Sequence, residues 1–460
     1  MSALIIHGHF YQPPRENPWT GEVPTEPSAA PFHDWNERIH AECYAPNVIN
    51  YPNISFNFGP TLLSWLERHH KDTYQKILDA DKVSAGARGG HGNATAQAYG
   101  HAILPLCNER DRLTQVVWGL ADFRFRFGRE AEALWLPETA ANDDVLALLI
   151  DQGLRYVILS PDQAKGKIET SRAYVFRHPD GSGRSLAVFF YNGPLARAIA
   201  FEKALTSSRG LVDQFIRAAQ SGDMVNVATD GETYGHHFKF GDLCLAHALE
   251  VEAKQAGFWI TNYAEYLDRH PPVLEVEIEN GPDGEGSSWS CVHGVGRWTR
   301  DCGCHTGGEP GWNQSWRAPL RAALNFLRDD AAVKFESSEL LRDPWAARND
   351  YVGVLLDPQR ARTSFLTHHV VRDESRVWKL LEMQRSALLM FASCGWFFSD
   401  LAGIETIQLM RYAARVMDLQ AELGLDPPEK KFLELMSEAR SNQPEKGTGA
   451  DLFVHFAKPR

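Results

Sequence analysis

With 460 residues, 43% of them hydrophobic and 11% aromatic, the chain can bury a large core and is expected to form two or three domains. Lys+Arg 47 against Asp+Glu 59 leaves a net charge of −12 without any basic run, which argues against nucleic acid and anionic membranes as partners. The N-terminus has neither a charged n-region nor an apolar h-region, no stretch has the apolar length of a membrane span, and the seven cysteines are dispersed, so a cytoplasmic protein with reduced thiols is expected.

Residues 4–7, 54–57, 82–85, 134–136, 156–159, 186–190 and 225–228 read as short strands, several of them continuously apolar, as strands buried on both faces are. Helical signals fall between them, and the alternation predicts an α/β fold built on a seven-stranded barrel over residues 1–270. The fourth strand opens the clearest unit: Glu138, a helix start at Asn142-Asp143-Asp144, apolar Val145, Leu146, Leu148 and Leu149, a stopping Gly153, then the fifth strand. In such barrels the reactive groups stand at the C-terminal ends of strands, which singles out His7, Asn57, Glu138, Tyr191 and Asp230. Residues 271–330 read as an aromatic and cysteine-rich loop with helices that complete the site, and residues 331–460 as a helical domain. The apolar stripes Leu320, Leu324, Leu327 and Val377, Leu380, Gln384, Leu388, Phe391 support that division.

Two strands end on carboxylates, and glycosidic cleavage needs two carboxylates flanking one bond. Glu138 follows Pro137, whose ring ends the strand and turns the next side chain toward the barrel mouth, beside Trp135. Asp230 and Glu232 stand two apart and in an extended segment would share a side, where repulsion keeps one of them protonated as a general acid. Gly231 and Gly235 allow close approach, and His236 and His237 add hydrogen-bonding groups. For Glu138 the competing reading is a carboxylate that merely precedes a helix, which the local sequence leaves open and the second motif tips toward catalysis; for Asp230 it is a solvated acidic turn, which does not account for the apolar strand leading into it.

His7 and His9, with Gln12 beyond them, could hold a metal or bind sugar hydroxyls, a question His91 and His101 raise with less force. Trp289, Trp298, Trp312 and Trp316 crowd one segment, and their faces suit pyranose rings, although core packing explains some of them. Cys291, Cys302, Cys304 and His305 form C-x10-C-x-C-H, which departs from the C-x2-C pairs of structural zinc, and the sequence reading is of close thiols around a glycine. No metal and no cofactor are assigned.

His7-Gly8-His9, Trp135-Leu136-Pro137-Glu138 and Asp230-Gly231-Glu232-Thr233-Tyr234-Gly235 resemble, in order, three sequence regions of glycoside hydrolase family 57. Tyr99–Pro105 resembles another, and Tyr191–Phe201 is similar to a stretch between the third and fourth regions. The remainder resembles the helical domain of a bacterial branch of that family. This resemblance implies a distorted seven-stranded (β/α) barrel followed by an all-α domain, acting on α-glucans with retention of configuration. It implies Glu138 as nucleophile, Asp230 as acid/base, and His7, His9 and Glu232 lining the adjacent subsite. Trp135, Tyr191, His236, His237, Trp289, Trp298 and Trp316 are the remaining expected substrate contacts. The expected function is a metal-independent retaining glycosidase or glucanotransferase of amylase, 4-α-glucanotransferase or branching type. A metal-dependent carbohydrate deacetylase and a noncatalytic glucan-binding protein stay open as alternatives.

Overall fold

A computed structural model describes residues 1–458, which divide into two units. The first comprises Met1–Gln12, Pro24–Ala98 and Phe123–Asn280; the second takes Pro13–Val23, Tyr99–Asp122 and the residues from Gly281 on.

The first unit is α/β. Its strands are β1 (Ala3–Phe10), β2 (Ser55–Phe58), β3 (Ala94–Gln97), β4 (Leu134–Trp135), β5 (Tyr156–Leu159), β6 (Ala173–Arg177), β7 (Ser185–Phe190), β8 (Met224–Asp230) and β9 (Trp259–Ile260). A six-stranded parallel sheet runs β4-β3-β2-β1-β8, with β9 also on β1, and a three-stranded sheet runs β5-β7-β6. Central β1 is buried along all eight residues, histidines included, as parallel strands covered on both faces are. Register sets His9 beside Asp230 on one flank and beside Asn57 on the other, and Gln97 beside Trp135 further out. Because all these strands are parallel, their C-terminal ends bring those side chains to one edge.

Two expectations need correction. The ladder is not a closed ring of seven strands: two separate sheets meet at an isolated bridge Ala133↔Tyr156 on one side, and on the other at bonds from the Asn192 amide to Asn226 O at 2.8 Å and from Asn226 Nδ2 to Phe190 O at 3.2 Å. Residues 82–85 are not a strand but lie inside the helix Lys71–Ala87, which buries Ile77, Leu78, Asp81 and Ser84 at helical spacing and leaves Val83 61% exposed. The third strand is Ala94–Gln97, whose sequence ATAQ carries almost no strand signal.

The β4–helix–β5 unit follows its sequence signals. Asn142 caps the helix Asp143–Asp151 by accepting from the Val145 amide at 3.0 Å; Val145, Leu146, Leu149 and Ile150 are buried, and Gly153 turns the chain at φ 77°. Each such buried side chain contributes about 1.5–3 kcal/mol.

The second unit is largely helical, with Arg317–Glu336, Pro344–Leu356, Pro358–His369, Glu374–Leu389 and Ile404–Glu422 as its longer helices. Leu320, Leu324 and Leu327 are buried, as are Val377, Leu380 and Leu388. Gln384 sits on that apolar face because a buried ion pair needs it: Arg348 reaches Asp111 at 2.7 Å and Gln384 Oε1 at 3.1 Å, while Gln384 donates to Ala331 O. Among the described residues no helix is long and apolar enough to cross a membrane.

Candidate active site

The β1, β2 and β3 ends share one hydrogen-bond network. Asn57 gives its amide N–H groups to Gln97 Oε1 at 2.7 Å and His9 Nδ1 at 2.9 Å, so its oxygen accepts the His7 Nε2 proton at 3.0 Å. Ser55 lies 2.9 Å from His7 Nδ1 and donates to it, and because His9 Nδ1 accepts the Asn57 N–H, the His9 proton sits on Nε2. Both imidazoles stack on Trp135, with centroids 4.7 and 5.0 Å away. Burial holds both pKa values down to about 3, and for His9 the neighbouring His7 adds to that, so the two rings are neutral hydrogen-bonding groups.

Glu138 stands in the tight turn Pro137–Thr139 after β4, half-buried. Both Glu138 (φ 58°, ψ 22°) and Thr139 (φ 50°) adopt the left-handed region, a costly arrangement for two non-glycine residues, one of them β-branched. Gln163 secures the turn through paired bonds with Thr139.

Asp230 closes β8 and is open to solvent, yet the protein packed around it removes enough hydration to push its pKa well above the usual carboxylate range. The charges of Glu232 and then Glu138 add to that rise, so the three carboxyl groups share one electrostatic field. Tyr191, at the end of β7, hydrogen-bonds Ser160 and lies within reach of the Asp230 charge; burial pushes its hydroxyl up to about 12.

Glu232 departs from the expected common face with Asp230. The strand ends at Asp230 and a 3-10 turn, Gly231–Thr233, carries Glu232 inward, where Tyr44 donates to Oε1 at 2.7 Å and the Tyr11 amide at 3.4 Å, with Gln12 also bonded. Desolvation outweighs those donors and raises its pKa to about 7. Gly231 is required there, since a Cβ would stand 2.2 Å from the Phe10 ring, and a Cβ on Gly235, whose φ is 137°, would stand 2.2 Å from Glu42 O.

His236 bonds Glu42 and packs edge-on against Trp35, while His237 reaches solvent, yet protein crowded around its ring and the neighbouring His236 lower its pKa. Trp298 and Trp316 do not present sugar-binding faces: they lie 0% and 1% exposed inside the second unit, their indole N–H groups bonded to Ser393 O and Gln314 Oε1. Trp289, half-buried, keeps part of its surface. Sequence reasoning passed over Gln97, Tyr44 and Gln163. Gln97 would have followed from a correctly placed third strand, whereas Tyr44, in the π-helical turn His40–Tyr44, has no local signal.

The family model for glycosyl hydrolase family 57 matches residues 6–279, well over half the chain. The chain belongs to glycosyl hydrolase family 57. A second model, a domain of unknown function (DUF3536), matches residues 312–460. Among curated relatives, an α-amylase of Pyrococcus abyssi is 23% identical over 62% of this chain and 42% of its own length, and a 4-α-glucanotransferase of Thermococcus litoralis is 22% identical over the same shares. This family 57 chain thus spans about two fifths of the length of those relatives. Two solved structures share its fold: an exo-type maltose-forming amylase from Pyrococcus sp. ST04 (TM-score 0.72, 15% identity, 98% of this chain and 90% of that one) and a family 57 branching enzyme from Pyrococcus horikoshii (TM-score 0.64, 16% identity, 100% and 98%).

Proposed function

We propose that this chain is an α-glucan-active glycosidase or transglycosidase working by double displacement, with Glu138 as nucleophile and Asp230 as acid/base. The observation that carries the reading is the placement of Glu138 in the turn after β4 and of Asp230 at the tip of β8, near enough for the Glu138 charge to add to the rise in the Asp230 pKa. Glu138 attacks the anomeric carbon as the glycosidic bond breaks, and Asp230 delivers its proton to the leaving oxygen. Asp230, now a carboxylate, takes a proton from the incoming nucleophile, which displaces Glu138. Water gives hydrolysis, a sugar 4-hydroxyl gives transfer, and a 6-hydroxyl gives a branch. Neutral His9 and the Tyr191 hydroxyl are suited to hold sugar hydroxyls, with His7 holding Asn57 in place and Trp135 bracing both imidazoles. The names of the relatives, amylase and 4-α-glucanotransferase, support the substrate class.

The deacetylase alternative has less support, because His7 spends both ring nitrogens on Ser55 and Asn57. The test is to incubate the protein and its Glu138→Gln variant with maltoheptaose and glycogen and to resolve chain lengths and branch points. Shorter chains, a ladder or new branches from the parent alone support the proposal; products from both in equal yield contradict it, and tight binding without product favours a glucan-binding protein.

A further inference from the structure

In the second unit, outside the site described above, Cys291, His293, Cys302 and Cys304 bring one ligand atom each to within 4.8 Å of one another. The distances are those of a single coordination shell. Cys291 Sγ and Cys302 Sγ lie 3.8 Å apart, and Cys304 Sγ and His293 Nδ1 lie 3.5 Å apart. Two sulfurs about 2.3 Å from one tetrahedral ion are separated by about 3.8 Å, and a sulfur and a nitrogen at about 2.3 and 2.0 Å by about 3.5 Å. A disulfide would need the first pair to approach to about 2.05 Å.

We propose that these four residues form a structural zinc site of Cys3His type, C-x-H-x8-C-x-C. The sequence pattern paired the cysteines with His305, but His305 Nδ1 lies 3.0 Å from Gly307 O, and His293 supplies the nitrogen instead.

The surroundings fit a bound thiolate set. Cys291 Sγ accepts backbone N–H bonds from His293 and Arg297, the outer-shell support that orients metal-bound sulfur. Gly303, at φ 82°, makes the turn between Cys302 and Cys304, and Gly296 admits Cys302, since a Cβ on it would stand 3.1 Å from the Cys302 Cβ. Three thiolates and a divalent ion carry one net negative charge, and the Arg300 and Arg317 guanidiniums lie within electrostatic reach of Cys291 and Cys302. Arg317 also donates to Cys304 O at 2.7 Å, tying the thiol loop to the start of the helix Arg317–Glu336. Four protein ligands leave no open position, so the ion would fix the loop and take no part in bond cleavage.

The full-length chain, purified in reductant without added metal, is assayed for metal by mass spectrometry, then stripped with a chelator and titrated with cobalt(II). The expected result is about one zinc per chain, the intense visible absorption of tetrahedral cobalt with a sulfur-to-cobalt charge-transfer band, and a fall in Tm on stripping that zinc reverses. His293→Ala and Cys302→Ser lower the zinc content, and His305→Ala leaves it unchanged. Because Cys302→Ser can fail to fold, the cobalt spectrum of the parent chain stands as the independent criterion. A reduced parent chain that holds no zinc and gives no tetrahedral cobalt spectrum overturns the proposal. So does a Cys291–Cys302 disulfide in the protein as isolated, or a zinc content sensitive to His305 and indifferent to His293.

Discussion

Thr139 and Gln163 exchange two hydrogen bonds, from Thr139 Oγ1 to Gln163 Oε1 at 2.8 Å and from Gln163 Nε2 to Thr139 O at 2.9 Å, around the turn that presents Glu138. Gln163 Oε1 also accepts the Ser160 amide at 2.9 Å, so one side chain joins the ends of β4 and β5. Two left-handed residues in succession cost about 1–3 kcal/mol each, and this clamp offsets that cost.

Gln163→Ala therefore frees the turn to relax and moves Glu138 off its line of attack. On the proposed mechanism kcat falls about ten- to a hundredfold with KM little changed, measured on maltoheptaose. An unaltered kcat would mean that the turn holds itself.

Asp230 is the proton donor of the proposal, so Asp230→Asn is expected to slow cleavage of maltoheptaose by about a hundred- to ten-thousandfold. Formation of the glycosyl-enzyme from α-maltosyl fluoride, whose leaving group needs no proton, is expected to suffer much less. In the parent enzyme desolvation and the neighbouring Glu232 and Glu138 charges raise the Asp230 pKa, so activity is expected to fall as pH climbs past that raised value and not at the ordinary carboxylate pKa. Equal losses on both substrates would remove Asp230 from the acid role.

Much of this site was readable in the sequence because its chemistry coincides with strong local patterns. An apolar strand that runs into the turn Pro137-Glu138 and another ending at Asp230 declare both the element and the carboxylate that follows or closes it. Where the pattern was weak, so was the reading. The strand Ala94–Gln97 has small and polar residues, and its place went to the apolar-looking Lys82–Ala85 run, which a helix with one exposed valine uses instead. Glu232 was drawn inward by Tyr44, which lies 188 positions away in sequence and which no spacing rule reaches. Trp298 and Trp316 show the same limit from the other side: an aromatic cluster looks alike whether it faces sugar or fills a core.

Glu232 makes a prediction about stability. Its folded pKa of about 7 lies above the ordinary carboxyl value of 4.5, so the folded state holds the proton more tightly. That contribution is complete below pH 4.5 and is lost as pH rises through about 7. Glu232→Gln keeps an acceptor for Tyr44 and Tyr11 without the buried charge. Relative to the parent it is expected to gain stability progressively between about pH 5 and 8, by at most about 3 kcal/mol, in denaturant melts. A constant difference across that range would contradict the buried-charge account.

The His7–His9 pair works in the opposite sense. Both folded pKa values, about 3, lie below the ordinary 6.5, so their stabilising contribution is present above pH 6.5 and is lost as pH falls toward 3. His9→Gln, which cannot take up that proton, is expected to lose less stability over this window than the parent, whatever its stability at neutral pH. A steeper acid loss in the variant would show that His9 is not buried neutral.

The most direct test of double displacement at Glu138 and Asp230 is to follow maltoheptaose turnover by proton NMR and read the anomer formed first. The account predicts α-anomer at the new reducing end before mutarotation, with Glu138→Gln slower by several orders of magnitude. β-Anomer first, or undiminished turnover in Glu138→Gln, would contradict it.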